Sequence, residues 1–533
     1  MKYTTSIRFW MLWHAVLLIG LSAVHETCAI EPENVLVLYN DDGGPTGPGF
    51  QIASHYQQQR PGVHLAGLSG IDAIRSGSEL EQVSGSDYLS VIRPQVLSAI
   101  GAISDRIDVI VTTKGLPLRI NSGGSDTATL EPWSSFESEL TRIDEIDSIG
   151  EMRDQVIEID AGIFKIPQPP KNPYYNRFNI NFPFVHTGSD PNFADIRLSS
   201  RLDGKTVEDV IAAIDRAQNV YVVPTGHYVV ADDDLSAGTD ELIDVLGESG
   251  FGPGPGLVDP VNLDGVLDLH GQAYVYENTD NATTTAPGPV IGYVSHGTND
   301  GSGGLSGNYI ENGELQFSLA DGAVFHTFES FNGQTFANPN SQTDGQIADW
   351  LEIGGTAGLG HVAEPLNGFM NVSNEDQFYA AILPDAGAQP GESGLTFVEA
   401  AWSSILQLSY VNTVVGDPLM RFQAWLPGDV NLDGSVDIFD VFILQANWLQ
   451  PGGFAQGDMN NDGVVDFFDV LVVQANWLQS VNSAGQTALS GGIEELTLDP
   501  LTGLLEGTTV PEPSTIIAMI SGVLSLGLLR RGR

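Results

Sequence analysis

Continuous apolar runs of strand length punctuate the first four hundred residues: NVLVLYN (34–40), IDVIVTTKGLPLRI (107–120), VYVV (220–223), PVIGYVSHG (289–297) and AVFHTFES (323–330). They are rich in β-branched residues and do not alternate with polar ones, the pattern of strands covered on both faces. Between them FQIASHYQQQ and VEDVIAAIDRAQ repeat apolar positions at helical spacing. Strands alternating with helices predict an α/β domain over residues 30–426, with a largely parallel sheet, flanking helices, and sites at the carboxyl ends of strands.

The pattern then changes. DVNLDGSVDIFD begins at Asp429 and DMNNDGVVDFFD at Asp458, 29 residues later, and QANWLQ follows each. A hard cation takes six to eight oxygens, which a short loop supplies from alternating positions around a glycine that permits the sharp turn. In the first loop Asp429, Asn431, Asp433, Asp437 and Asp440 would supply side chains and Ser435 its carbonyl; in the second, Asp458, Asn460, Asp462, Asp466 and Asp469 would, with the carbonyl of Val464. Two Ca2+ sites are expected. Pro427 argues against a helix entering the first loop, and Pro451 with Gly452 would end the helix that follows, so each unit is a loop and then a helix.

Residues 427–480 therefore resemble the duplicated type I dockerin module, a small all-α, EF-hand-like calcium-binding plug that inserts into cohesin domains. Dockerins carry small hydroxyl residues at loop positions ten and eleven, where this chain has Ile438, Phe439, Phe467 and Phe468. These apolar residues are expected to form the core between the two helices of a calcium-stapled spacer. A cohesin-like or extracellular matrix partner is the alternative.

The ends of the chain bear on location. Residues 1–29 place Lys2 and Arg8 before an apolar run and small residues, which reads as a secretory signal cut near Ala29. Cys28 is the chain's one cysteine and leaves with it, so stability outside the cell rests on core size and calcium. Residues 510–533 open on Pro511, Glu512 and Pro513, continue through an apolar stretch, and end on Arg530, Arg531 and Arg533. They resemble the bacterial Pro-Glu-Pro (PEP-CTERM) sorting tail, which implies transient inner-membrane anchoring, cleavage by an exosortase-type sorting protease, and delivery to the cell surface or matrix. Residues 481–509 read as a linker. Against 21 Lys and Arg stand 68 Asp and Glu, a net charge of −47 that makes nucleic acid an implausible partner. There is no phosphate loop and no dinucleotide fingerprint.

Two strand ends carry candidate chemistry. PVIGYVSHGTNDG reaches His296-Gly297, and the next strand ends in Glu329-Ser330-Phe331-Asn332-Gly333. The pairing resembles the caspase and gingipain type of cysteine peptidase, in which a His-Gly faces a cysteine at the neighbouring strand end. Here Ser330 stands at the cysteine position. The resemblance implies a Ser330/His296 pair, with Asp300 or Glu329 orienting the imidazole and amides at Gly297 or Gly333 facing an oxyanion. A serine needs a better oriented base than a thiol does, so a degenerate domain used for binding or structure is the favoured reading, and a Ser/His hydrolase the alternative. VTTKGLPLRI, SRLDGKTVEDVIAAIDRA and GDPLMRF further resemble a family of secreted bacterial proteins. Dockerins belong mostly to polysaccharide-degrading systems, which makes a component of polysaccharide catabolism a third reading. Lys114 reads as a turn lysine, Arg201 and Asp203 as a helix-entry ion pair, and His361 with Glu364 as loop residues.

Overall fold

A computed structural model describes residues 30–77, 80–121, 133–144, 159–160, 163–164, 172–175, 196–233, 263–278, 282–295, 297, 305–337, 345–365, 372–460, 462–480, 497–498 and 505–506. His296, Asp300, residues 1–29, most of 481–509 and the tail from 510 lie outside them.

In chain order the strands before Asp429 are β1 (Val35–Asn40), β2 (His64–Leu68), β3 (Gln82–Ser84), β4 (Val109–Thr113), β5 (Arg119–Asn121), β6 (Trp133–Ser135), β7 (Ile159–Asp160), β8 (Ile163–Phe164), β9 (Leu198–Leu202), β10 (Val220–Val222), β11 (Tyr228–Asp233), β12 (Tyr274–Asn278), β13 (Val290–Ser295), β14 (Leu319–Thr327), β15 (Ala357–His361), β16 (Ser393–Thr396), β17 (Asn412–Val415) and β18 (Arg421–Ala424). Ten of them form one sheet in the order β12-β11-β13-β14-β15-β17-β9-β4-β1-β2. Its pairings are parallel except β15 with β17, and β17 meets β9 through the single bridge Val415–Arg201.

The uninterrupted apolar runs have their explanation in this sheet. Along β1, Val35 and Val37 enter one core with Ile52 and Tyr56 of the helix Pro48–Gln59, while Leu36 and Leu38 enter another with Ile92 and Val96 beside the helix Arg93–Ala102. A strand with no solvent face has no position for a polar alternate. On β13 and β14, Tyr293 and Phe325 join Trp350 of the helix Gln346–Glu352 in a third cluster. The helix Val207–Arg216 starts in a capping box between Thr206 and Asp209 and buries Val210, Ala213 and Ile214.

Some expectations need correction. The run 107–120 is two strands: β4 ends at Thr113, Gly115 turns the chain with φ +95°, and β5 pairs with β3 and β6 in a separate sheet. Val220–Val222 likewise leaves the large sheet to pair with β18. Arg201 is not at a helix entry. It is fully buried on β9, where Nε donates to Glu137 Oε1 at 2.9 Å, Nη1 to Asp203 Oδ2 at 3.0 Å and Nη2 to the Pro117 carbonyl. Thr112 and Thr413 donate to the same Glu137 carboxylate at 2.8 and 3.2 Å, so neither charge is left without compensation. Lys114 is no free turn lysine, since its ammonium reaches Asp203 Oδ1 at 3.2 Å, the Gly204 carbonyl at 2.6 Å and the Phe336 carbonyl at 3.4 Å. His361 closes β15 and does not lie in a loop.

Candidate functional site

The two acidic loops repeat each other bond for bond. Asp429 Oδ2 accepts the Gly434 amide at 2.8 Å and Oδ1 the Asp433 amide at 3.1 Å; Asp458 accepts those of Gly463 and Asp462 at the same distances. Asp440 Oδ1 takes the amides of Val430 and Asn431 at 2.7 and 3.2 Å and Oδ2 that of Asp437 at 2.8 Å, and Asp469 repeats this with Met459, Asn460 and Asp466. Asn431 and Asn460 each donate at 2.9 Å to the aspartate two residues on. Gly434 and Gly463 turn the loops with φ +83° and +88°. Asp437 and Asp466 then cap the helices Ile438–Ala446 and Phe467–Ala475 in matching capping boxes. The first helix stops at Ala446, before the expected break at Pro451.

Asp429, Asp440, Asp458 and Asp469 are all buried. Burial pushes Asp429 up to about 7, with repulsion from Asp440 and Asp433 added, and it also raises Asp440 and Asp458. Carboxylates crowded out of water this way gain most from a bound cation. Among the described residues no three His, Cys, Asp or Glu side chains already stand together as a metal centre. The loop carboxylates are instead turned onto backbone amides. The available donors are carboxylate, amide and main-chain oxygens, the chemistry that suits Ca2+ rather than a softer metal.

The aromatic residues overturn the expected spacer core. That core is built from Val430, Val436, Val441, Leu444, Met459, Val465, Val470 and Val473. Ile438, Phe439 and Phe442, with their counterparts Phe467, Phe468 and Leu471, face solvent at 41–59 % exposure.

On the α/β domain β13 and β14 are parallel neighbours, so their carboxyl ends lie side by side. Ser330, half-buried, follows β14, and Phe331 after it takes a left-handed φ of +64°, unusual for a bulky side chain. Asn332 clamps the turn: Nδ2 donates to Thr327 Oγ1 at 3.0 Å and Oδ1 accepts the His361 amide at 2.7 Å. The Glu329 carboxylate accepts from Tyr309 at 3.0 Å, Thr327 at 2.9 Å and Gln346 at 3.2 Å. It packs so closely on Gly297 that a Cβ there would lie 2.2 Å from its Cδ. On β11, Asp232 accepts from Ser295 Oγ at 3.2 Å, and Ser295 Oγ in turn accepts the Gly297 amide at 2.8 Å. The structure thus brings Gly297, Glu329 and the Ser330 turn together; His296 and Asp300 lie outside the described residues. Gly333 is no free oxyanion donor, because its amide donates to the His361 carbonyl at 3.0 Å.

Sequence reasoning missed Asp232, Tyr309, His326 and the β15 role of His361, whose partners are distant in sequence. His326 and His361 are buried, and burial lowers them to about 3 and about 4. Above the free-imidazole value of 6.5 both folded and unfolded states are neutral and the pair's stability is intact. As pH falls below it only the unfolded chain takes up protons, at a cost of about 1.4 kcal/mol per pH unit for each imidazole. Asp232, raised to about 6 by burial, acts in the opposite sense as pH falls through that value. Replacing His361 by Asn is therefore expected to remove about 2 kcal/mol of the stability lost between pH 7 and 5. Urea midpoints at the two pH values check this; an equal loss in both proteins contradicts it.

The dockerin type I domain family matches residues 427–477, which include both loops. No curated protein and no solved structure matches the chain. The chain thus carries a dockerin type I domain, a type that binds calcium and cohesin partners and points to an extracellular component. Among the described residues no helix is long and apolar enough to cross a membrane.

Proposed function

We propose that this is an exported, surface-sorted protein that binds two Ca2+ ions in its dockerin domain and uses that domain to attach its α/β domain to a cohesin-type partner. The observation that carries the reading is the duplicated loop with its repeated exposed apolar face. Asp429, Asn431, Asp433, Ser435, Asp437 and Asp440 would hold one ion, and Asp458, Asn460, Asp462, Val464, Asp466 and Asp469 the other. Ile438, Phe439 and Phe442 are exposed, with the Phe439 and Phe442 rings 6.3 Å apart, and Phe467, Phe468 and Leu471 are exposed at the equivalent positions, with the two phenyl rings 6.4 Å apart. Such patches on a chain this acidic suit a partner with an apolar centre and a polar rim. A signal at 1–29, a linker at 481–509 and a Pro-Glu-Pro tail at 510–533 complete the proposed layout. The tail would be cleaved by an exosortase-type protease.

The test is binding of the mature chain to a panel of type I cohesin domains. Phe439→Asp or Phe468→Asp alone leaves the equivalent patch free and should weaken binding by about twofold; the two together should weaken it at least about a hundredfold, as expected when anchor residues of an interface are lost. Binding unchanged in the double variant refutes the assignment.

The α/β domain is read as a gingipain-type scaffold for binding or structure. A second reading, a Ser330/His296 hydrolase, is favoured by the Ser330 turn standing at the end of β14 beside Glu329 and Gly297. Peptide or ester hydrolysis that disappears in both Ser330→Ala and His296→Ala variants, with folding and calcium binding intact, would establish it. Activity that persists in both rules out the pair. A place in polysaccharide degradation rests on the dockerin type alone.

A further inference from the structure

A dockerin domain joined by a flexible tether would leave the α/β domain indifferent to calcium. Here only Trp425, Leu426, Pro427 and Gly428 separate β18 from Asp429. The Trp425 amide donates to the Val222 carbonyl of β10 at 3.3 Å, and its indole N–H donates to the Asp429 carbonyl, inside the first loop, at 2.7 Å. One residue, through its main-chain amide and its indole, therefore ties the loop to the strand pair.

A second tie comes from the segment between the repeats. Phe454, in the short helical turn Phe454–Gln456, packs edge-on against Trp425 at 5.1 Å between ring centroids and against His227 at 6.2 Å. It covers Gly226 so tightly that a Cβ there would lie 2.9 Å from the Phe454 Cβ. Val223, next to β10, and Leu426 share one core with Val436, Val441 and Val473. Tyr221 on β10 is buried, and burial is the main cause that holds its phenol above its usual value, with the charges of Asp429 and Asp433 adding to it.

We infer that calcium in the first loop is also a brace for the α/β domain: the dockerin domain is docked on the β10–β18 edge through Trp425 and Phe454, and ion binding stabilises that edge. The inference rests on the calcium reading above. The repeated patches at Phe439 and Phe468 remain exposed in the docked arrangement, so the brace and the proposed partner use different sides of the domain. The α/β domain would then be presented at a fixed angle to whatever the dockerin domain binds.

Hydrogen exchange of the full mature chain, with calcium and with chelator, tests this. Chelation should speed exchange about tenfold or more in Val220–Val222, 224–228 and Arg421–Ala424, as local unfolding of a docked unit does. Phe454→Ser, and independently Gly226→Val from the other side of the contact, should abolish this response while calorimetry still finds two bound ions. Unchanged exchange in those segments, alongside a clear response in Ile438–Ala446 and Phe467–Ala475, overturns the coupling alone. No response in either place contradicts the calcium reading and the coupling together.

Discussion

Replacing Arg201 by methionine is expected to lower the stability of the α/β domain by about 3–5 kcal/mol, the usual cost of removing one partner from a buried ion pair. Both Arg201 and Glu137 are fully buried, and Glu137 would be left with only the Thr112 and Thr413 hydroxyls. Adding Glu137→Leu should recover much of the loss, because a paired apolar replacement leaves no uncompensated charge. The urea midpoint should fall sharply in the single variant, less in the double, with the slope unchanged. A single variant within about 1 kcal/mol of the native chain would mean that the network contributes little, as exposed pairs do.

The sequence offered Asp203 as a partner for Arg201, and the structure has that pair, but Glu137 was not visible as a partner. Arg201 and Glu137 are 64 residues apart, and pairing of that kind leaves no periodic trace. The calcium loops are legible for the opposite reason. Each ligand set is confined to one short stretch whose spacing is set by the loop itself, and the 29-residue repeat shows it twice. Strand cores such as β1 and β13 are equally legible, since burial on both faces writes itself as an unbroken apolar run. The orientation of Phe439 and Phe468 is not. IFDVFILQA and FFDVLVVQA are apolar nearly all round, so periodicity gives no inward face, and only packing against Val430, Val436 and Val465 decides which residues go in. The Ser330 turn lies between these cases. Its place at a strand end is legible, while the Asn332 clamp and the Glu329 contact with Gly297 depend on neighbours brought by the sheet.

The second large effect is that of calcium itself. Residues 427–480 have a small core and buried, mutually repelling carboxylates at both loops, so the domain should lose its helices when calcium is withdrawn. At a free concentration about a hundred times the dissociation constant, each bound ion contributes about 2.7 kcal/mol. Two ions should therefore raise the melting temperature of the dockerin domain by well over ten degrees, roughly what about 5 kcal/mol does in a unit this small. Helical circular dichroism and melting curves identical in chelator and in calcium would refute this.

Calorimetric titration of the metal-free mature chain with Ca2+ tests the central claim most directly. The expected result is two bound ions per chain, reduced to one by Asp429→Ala, to one by Asp458→Ala, and to none by both. A native stoichiometry below two, or one that neither substitution changes, would contradict the assignment of the two loops as calcium sites.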